Sequence, residues 1–194
     1  MQTDIIITDN FYRNPDKTRA WVLEQPFDVV GNYPGKRTKP VHHWEGLKES
    51  IQSIVQQAGG TITKFDYDYT TSFQYTTATD ESWIHADYHT MWAGVCYLTP
   101  DAPMAGGTGL FKHKETGWYT PPRIDDGTYD PDSMKITDAD SRDYSKWDMH
   151  AMVGNVYNRL ILYRGDMYHR SLEYFGKDKN DGRLFQTFFF NTEY

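Results

Sequence analysis

The chain has 194 residues, which allows one sizeable domain and leaves little room for two. Aromatic residues make up 16% of it, so it can build a substantial core, and disorder as its main state is excluded. The formal net charge of -7 argues against a general binder of nucleic acid or of acidic membranes. The single cysteine, Cys96, excludes an internal disulfide.

The apolar runs of the chain are all too short to span a bilayer. The segment after Met1 has neither the basic start nor the long apolar stretch of a secretory signal. The sequence therefore predicts a soluble protein of a reducing compartment, with the cytoplasm as the expected location.

Residues 1–60 are expected to form a strand, a helix, a loop and a second helix. A β-branched run at residues 5–7 predicts the strand, and Asn14 before Pro15 is typical of a helix start. The first helix is expected to turn Ala20, Trp21 and Leu23 toward a core.

The second helix is indicated by apolar residues at steps of three and four, with Gly59-Gly60 as its stop. These residues are Trp44, Leu47, Ile51, Ile54 and Val55. His42 and His43, which precede it, are interpreted as surface or capping residues.

After residue 60 the pattern changes to short apolar or β-branched segments separated by turns, which favours strands. The segments are residues 61–77, 91–98, 106–111, 160–163 and 184–190. Their spacing predicts an antiparallel sandwich or barrel, so the expected fold is mostly β with N-terminal helices. Cys96 is expected to be a small buried hydrophobe within its strand.

Residues 113–150 interrupt this pattern with prolines, many aspartates and isolated aromatics. A connection of this length is usually functional or mobile, so an insertion beside a site and a solvated surface loop both stay open. On position alone, Trp118, Tyr119 and Arg123 are candidate substrate contacts. For His113 and His150, which flank the insertion, a solvated role is favoured.

The histidine that indicates chemistry is His85, because Asp87 follows two positions later. On an extended strand, residues two apart point to the same face, so an imidazole and a carboxylate would converge. A further histidine from another strand, for which His169 is the best candidate, would complete a two-histidine, one-carboxylate face that suits Fe(II). Taken alone, the His85 and Asp87 pair is also compatible with chance.

Arg183 opens the last strand and shares a predicted strand face with Phe185 and Thr187. A buried guanidinium needs an anion, and its planar fork fits a carboxylate at two points. Tyr75, ten residues before His85, could donate its hydroxyl to the same anion. Two alternatives stay open: Arg183 could instead form a salt bridge with an acidic residue, and Tyr75 could be a core ring.

The order of these motifs resembles the Fe(II)- and 2-oxoglutarate-dependent dioxygenases, and within them the prolyl-hydroxylase-like branch. The resemblance rests on His85-X-Asp87, on residues 92–101, 106–111 and 158–163, and on His169 and Arg183. Residues 9–15 and 182–190 are also similar to a group of proteins of unassigned function, the DUF6445-type proteins.

The resemblance implies one double-stranded β-helix (jelly-roll, cupin-like) domain over residues 1–194. Residues 1–60 would be helical support, and residues 61–194 would form the double-stranded β-helix with an insertion at 113–150. His85, Asp87 and His169 would be the catalytic ligands of Fe(II).

Arg183 would pair with the distal carboxylate of 2-oxoglutarate, helped by Tyr75 and Tyr97. With dioxygen, such a site hydroxylates a C–H bond of a peptide side chain or a small molecule. A carboxylate at Asp87 favours hydroxylation over halogenation. Two departures concern the anion partner: residues 172–182 must loop out between His169 and Arg183, and Phe185 stands where a small residue is common.

Two other functional hypotheses stay open. One is a cupin-like metalloenzyme that does not use 2-oxoglutarate, and the other is an inactive β-sandwich that serves as a binding or structural module. A helical zinc protease is poorly supported, because His85 and His89 do not form a His-Glu-X-X-His pattern. The partners expected are a small molecule or a peptide, without a membrane or nucleic acid, and a homodimer through residues 188–190 stays open.

Overall fold

The structure is a computed structural model that describes residues 3–41, 45–58, 60–66 and 69–193. Its α-helices are α1 (Pro15–Leu23), α2 (Leu47–Gln56) and α3 (Pro131–Ala139). Its strands are β1 (Ile5–Thr8), β2 (Lys36–Arg37), β3 (Thr61–Phe65), β4 (Phe73–Thr76), β5 (Trp92–Tyr97), β6 (Thr108–His113), β7 (Trp147–Val153), β8 (Leu160–Arg164), β9 (His169–Ser171) and β10 (Arg183–Glu193). The predictions for His42, His43, Trp44 and Gly59 concern residues outside the described ranges.

The paired signals of a cap and a buried face can be checked in the two N-terminal helices. The side chain of Asn14 accepts a hydrogen bond from the backbone N–H of Lys17, which caps α1. The fully buried residue of α1 is Val22. Leu23 is partly buried against the same core, as predicted, whereas Ala20 and Trp21 are exposed, contrary to the prediction. The helix has few apolar residues, and its periodicity therefore specified the buried face poorly. The second helix, α2, buries Leu47, Ile51 and Val55 as its spacing predicts.

The strands form two antiparallel sheets. In the described residues, the larger sheet has seven strands in the order β1-β8-β5-β10-β4-β2, with β3 also pairing with β10. The smaller sheet has the order β7-β6-β9. The fold is mostly β, as predicted. Strands β2, β7 and β9 and helix α3 are elements that the sequence patterns did not predict.

The two faces of the larger sheet carry different cores, as the alternation along β10 shows. Leu184 and Phe188 point to a core that also contains Val22 and Ile51, so α1 and α2 cover this helix side. Phe185 points to the other core, which also contains Leu110 and Val153 of the smaller sheet. The two sheets therefore pack face to face across this inter-sheet side, where the candidate site lies.

The connection between β6 and β7 is anchored by buried polar contacts. His113 is fully buried, and its Nε2 lies 3.0 Å from Asp140 Oδ2. The indole N–H of Trp147 donates to the backbone carbonyl of Asp140 at 3.0 Å. The solvated role expected for His113 is thus wrong, whereas His150 is exposed. Inside this connection, Asp130 caps α3 by accepting hydrogen bonds from two backbone N–H groups.

None of the helices within the described ranges combines the length and the apolar character that crossing a bilayer requires.

Candidate metal centre

Two histidines meet through a short piece of strand pairing. His85 lies outside the named strands and forms a single antiparallel bridge with His169, the first residue of β9. The N–H of His85 donates to the carbonyl of His169 at 3.0 Å, and the reverse bond measures 2.8 Å. Their ring centroids are 4.4 Å apart. The backbone N–H of Asp87, two residues on, donates to the carbonyl of Gly165 at 2.6 Å.

His85, Asp87 and His169 can each offer one ligand atom to a common point. These atoms all lie within 4.8 Å of one another, and His169 Nε2 is 3.4 Å from Asp87 Oδ2. Each histidine uses Nδ1 to bond a backbone carbonyl two residues earlier, Trp83 for His85 at 3.0 Å and Met167 for His169 at 2.8 Å. Such bonds fix the ring and its tautomer and leave Nε2 as the ligand nitrogen.

The electrostatics of this cluster favour metal binding. Burial and the neighbouring charge of His169 lower the pKa of His85, so its ring is neutral at neutral pH. Burial alone would raise the pKa of Asp87. Without a metal ion, the hydrogen bond that a protonated His169 Nε2 donates and the charges of His169, His85 and Arg37 outweigh this effect and lower the pKa of Asp87; a bound metal ion would replace the proton on Nε2. A neutral imidazole and an ionised carboxylate are the forms that coordinate metal.

Arg183 is almost fully buried and has one nitrogen without a partner. Its Nε–H donates to the carbonyl of Gly106 at 2.7 Å, and Nη2 lies 3.5 Å from the carbonyl of Gly107. Nη1 is buried and has no hydrogen-bond partner. An unpaired buried guanidinium nitrogen is costly, which makes it a receptor for an anion.

Gly106 and Gly107, whose carbonyls face the guanidinium of Arg183, have no room for a side chain. A Cβ on Gly107 would lie 1.9 Å from the carbonyl oxygen of Val153, and one on Gly106 would lie 2.6 Å from the ring of Phe175. Larger residues at these positions would push the two carbonyls away from the guanidinium.

Of the two tyrosines predicted to assist Arg183, the structure brings one to it. Tyr97 is fully buried, its hydroxyl lies 2.7 Å from Thr108 Oγ1, and the guanidinium carbon of Arg183 is 5.2 Å from its ring centroid. Burial raises the pKa of Tyr97 in spite of the opposing charge of Arg183, so its hydroxyl is neutral. Tyr75 pairs with Leu184 in the sheet and its ring lies 5.1 Å from Phe27, on the helix side and away from Arg183.

The predicted substrate contacts have separate environments. Trp118 packs partly buried against the core below the insertion, and Tyr119 is exposed with its ring 4.9 Å from His150. Arg123 stacks on Tyr129 and lies 3.7 Å from Asp166, so its charge is already paired. His89 is exposed and outside the metal cluster.

Comparison with solved structures shows a similar fold in a prolyl hydroxylase and in HygX. A prolyl hydroxylase from Trichoplax adhaerens, solved in complex with a hypoxia inducible factor peptide fragment, matches with a TM-score of 0.57 at 13% identity. The match covers 96% of this chain and 83% of that chain. HygX from Streptomyces hygroscopicus, solved with nickel and 2-oxoglutarate bound, matches with a TM-score of 0.57 at 9% identity, covering 96% and 82%. HygX has also been solved with hygromycin B bound, and that structure matches with a TM-score of 0.56.

No curated protein sequence matches the chain. A family model does, over residues 1–190, and its description is a family of unknown function. Because the match spans nearly the whole chain, the protein belongs to the DUF6445 family.

Proposed function

We propose that the protein is an Fe(II)- and 2-oxoglutarate-dependent oxygenase that hydroxylates a C–H bond of a peptide side chain or a small molecule. The two sheets would form a double-stranded β-helix, with the site between them. The observation that carries this proposal is the joint presence, on the inter-sheet side, of the His85, Asp87 and His169 cluster and the unpartnered Nη1 of Arg183.

The donor set of the cluster fits a ferrous ion. Two imidazole nitrogens and one carboxylate oxygen form one side of a coordination sphere, which leaves other positions open. His85 and His169 would enter as neutral ligands, since each donates its Nδ1–H to a backbone carbonyl. Asp87 would supply the negative charge that holds a divalent cation.

The surroundings of Arg183 fit the distal carboxylate of 2-oxoglutarate. Its Nη1–H groups would donate to that carboxylate, and the hydroxyl of Tyr97 would contribute a further donor. The nickel and 2-oxoglutarate bound in the structure of HygX support this assignment at the level of a shared fold. Tyr75 is left out of the proposed site, because it packs on the helix side.

When bound, the ferrous ion and 2-oxoglutarate supply the oxidising chemistry: with dioxygen, 2-oxoglutarate gives succinate and carbon dioxide, and one oxygen atom enters the C–H bond. The chain provides position, charge and a dry environment. The ring of Tyr163 lies 4.6 Å from that of His169, and Phe185 lies against Arg183. These rings would exclude water from both groups.

The proposal is tested by oxygen-dependent consumption of 2-oxoglutarate. Protein supplied with Fe(II) and 2-oxoglutarate in air should form succinate, and a His85→Ala variant should not. A cupin-like enzyme of another chemistry would bind metal without forming succinate, and an inactive module would do neither. Succinate formation that is equal in wild type and His85→Ala would overturn the proposed ligand set.

A further inference from the structure

A second cation, Arg37, shares the inter-sheet side with the candidate site. It lies in the two-residue edge strand β2, where it pairs with Gln74 of β4. Gln74 pairs with Phe185 of β10, and Phe185 pairs with Tyr97 of β5. Directly paired residues of neighbouring strands point to the same face of a sheet, so these four side chains form a row that leads from Arg37 to the surroundings of Arg183.

Three contacts hold the guanidinium of Arg37 in place. Its Nε–H and Nη2–H groups both donate to Gln74 Oε1, at 2.9 and 2.5 Å. Gln74 is itself fixed, because its Nε2 donates to the carbonyl of Pro34 at 2.6 Å. The guanidinium carbon lies 3.8 Å from the ring centroid of Tyr33, which is a stacking distance.

This arrangement leaves the end of the guanidinium for another partner. One edge, Nε with Nη2, is occupied by a neutral amide oxygen, while the end formed by Nη1 and Nη2 retains N–H donors. No carboxylate of the described residues lies within 4.0 Å of Arg37. Partial burial of a guanidinium that has no acidic partner costs free energy of desolvation, and a bound anion would offset this cost.

The charge of Arg37 also reaches the metal cluster. It is among the cations that lower the pKa of Asp87, and Asp87 in turn opposes the effect of burial on the pKa of Arg37. The row of paired residues places Arg37 on the same inter-sheet face as Phe185 and Tyr97, which lie beside Arg183. Arg183 lies two positions before Phe185 on β10, which is separated from β2 by β4, so the unpartnered Nη1 of Arg183 is a separate group from the guanidinium of Arg37.

We propose that Arg37 is the specificity-determining residue that binds a carboxylate of the substrate, so that the substrate class is a free amino acid or a peptide with an accessible carboxylate. The carboxylate would accept two parallel hydrogen bonds from Nη1 and Nη2. This assignment rests on the proposed function, which it extends by naming the group that orients the substrate. It differs from the role of Arg183, which would hold the 2-oxoglutarate.

The test compares paired probes on protein that cannot turn over. The protein is loaded with Zn(II) and saturating 2-oxoglutarate, and binding is measured for N-acetylated amino acids, each as the free carboxylate and as the carboxamide. We expect at least one carboxylate to bind wild type about tenfold or more tightly than its carboxamide. Arg37→Gln should remove that difference, and Arg37→Lys, which keeps the charge but not the fork, should retain only part of it.

Lys36→Gln is the matched control, because it removes one positive charge from the same strand at an exposed position. It should keep the preference for carboxylates. A wild type that shows no such preference for any pair would overturn the proposal, as would a preference that survives in Arg37→Gln. Weakened 2-oxoglutarate binding in Arg37→Gln would overturn it too, by reassigning Arg37 to the co-substrate.

A separate readout distinguishes failure here from failure of the proposed function. Anaerobic Fe(II) with 2-oxoglutarate should give a visible charge-transfer band in wild type and in Arg37→Gln alike. If that band forms while the carboxylate preference is absent, the oxygenase assignment stands and the role of Arg37 falls. If the band is absent, the proposed function itself fails.

Discussion

The two faces of the larger sheet use their buried residues in opposite ways. On the helix side, Phe188 and Phe190 of β10 pack with Val22 and Ile51 in a buried apolar core. On the inter-sheet side, the same strand presents Arg183, whose Nη1 is buried without a partner. One strand therefore contributes core residues on one face and, on the other, the proposed binding group Arg183.

The contrast indicates which residues should affect the stability of the fold and which should affect ligand binding. Changes on the helix side should act on the free energy of unfolding and leave ligand affinities intact. Changes to the site residues of the inter-sheet side, as distinct from core residues such as Phe185, should act mainly on ligand affinity, because a buried group without a partner contributes little to the folded state until its ligand arrives. Substitutions on each side test whether stability and ligand binding separate in this way.

The largest effect is expected for Phe188→Ala on the helix side. Removing a fully buried ring should lower the free energy of unfolding by about 3–5 kcal/mol, measured by denaturant titration. Met149→Ala, at a half-exposed position of β7, should change it by less than about 0.5 kcal/mol. Equal effects of the two substitutions would contradict the assigned core.

The next effect is on metal affinity. His169→Ala removes one of the three proposed ligands and should weaken Fe(II) or Ni(II) binding by more than about a hundredfold, or roughly 3 kcal/mol, in an anaerobic titration. His89→Ala serves as the control, because this histidine is exposed and outside the cluster. An unchanged metal affinity in His169→Ala would show that the cluster is not the metal site.

Arg183→Met should weaken 2-oxoglutarate binding by about a hundredfold, since a charged hydrogen-bond donor is lost, while metal affinity stays the same. The ligand-free variant should not lose the roughly 3–5 kcal/mol typical of breaking a satisfied buried ion pair. Fluorescence titration and denaturant unfolding measure the two quantities. A large loss of stability with unchanged 2-oxoglutarate affinity would make Arg183 a structural residue.

The smallest effect concerns the connection between β6 and β7. Asp140→Ala removes the partner of buried His113 and should lower the free energy of unfolding by about 1–2 kcal/mol and speed proteolysis within this connection. Asp125→Ala, exposed in the same connection, should do neither. If Asp140→Ala also weakened metal binding, the anchor and the metal cluster would have to be coupled.

The parts of the fold that could be predicted are those with a strong local pattern. The apolar runs predict β5, β8 and β10, and the spacing of Leu47, Ile51 and Val55 predicts α2. Helix α3 begins with Asp130-Pro131, the same kind of signal as Asn14-Pro15, yet it went unrecognised. Its buried residues, Ser133 and Thr137, are polar, so no apolar periodicity accompanies the cap.

Other elements leave no readable pattern at all. Strand β7 exposes Asp148, Met149 and His150 in succession: it is an edge of the smaller sheet, and its pairing with β6 shifts register at His150, which interrupts the alternation. Strand β2 has two residues, so alternation cannot indicate which way Arg37 points. Such short edge strands are fixed by tertiary pairing rather than by their own composition.

The candidate site divides in the same way. The spacing of His85 and Asp87 predicts their convergence locally, whereas the position of His169 depends on strand pairing between distant segments. The orientation of Tyr75 depends on register, since a shift of one residue along β4 moves a side chain to the other face. Chain order alone does not indicate that Tyr75 lies on the helix side and Tyr97 on the inter-sheet side.

The most direct measurement of the central claim is the anaerobic absorption spectrum of the protein with Fe(II) and 2-oxoglutarate. We expect a visible charge-transfer band that saturates at one equivalent of each, is lost in His169→Ala and requires far more 2-oxoglutarate in Arg183→Met. A band of undiminished intensity in His169→Ala, or no band in wild type, would contradict the central claim.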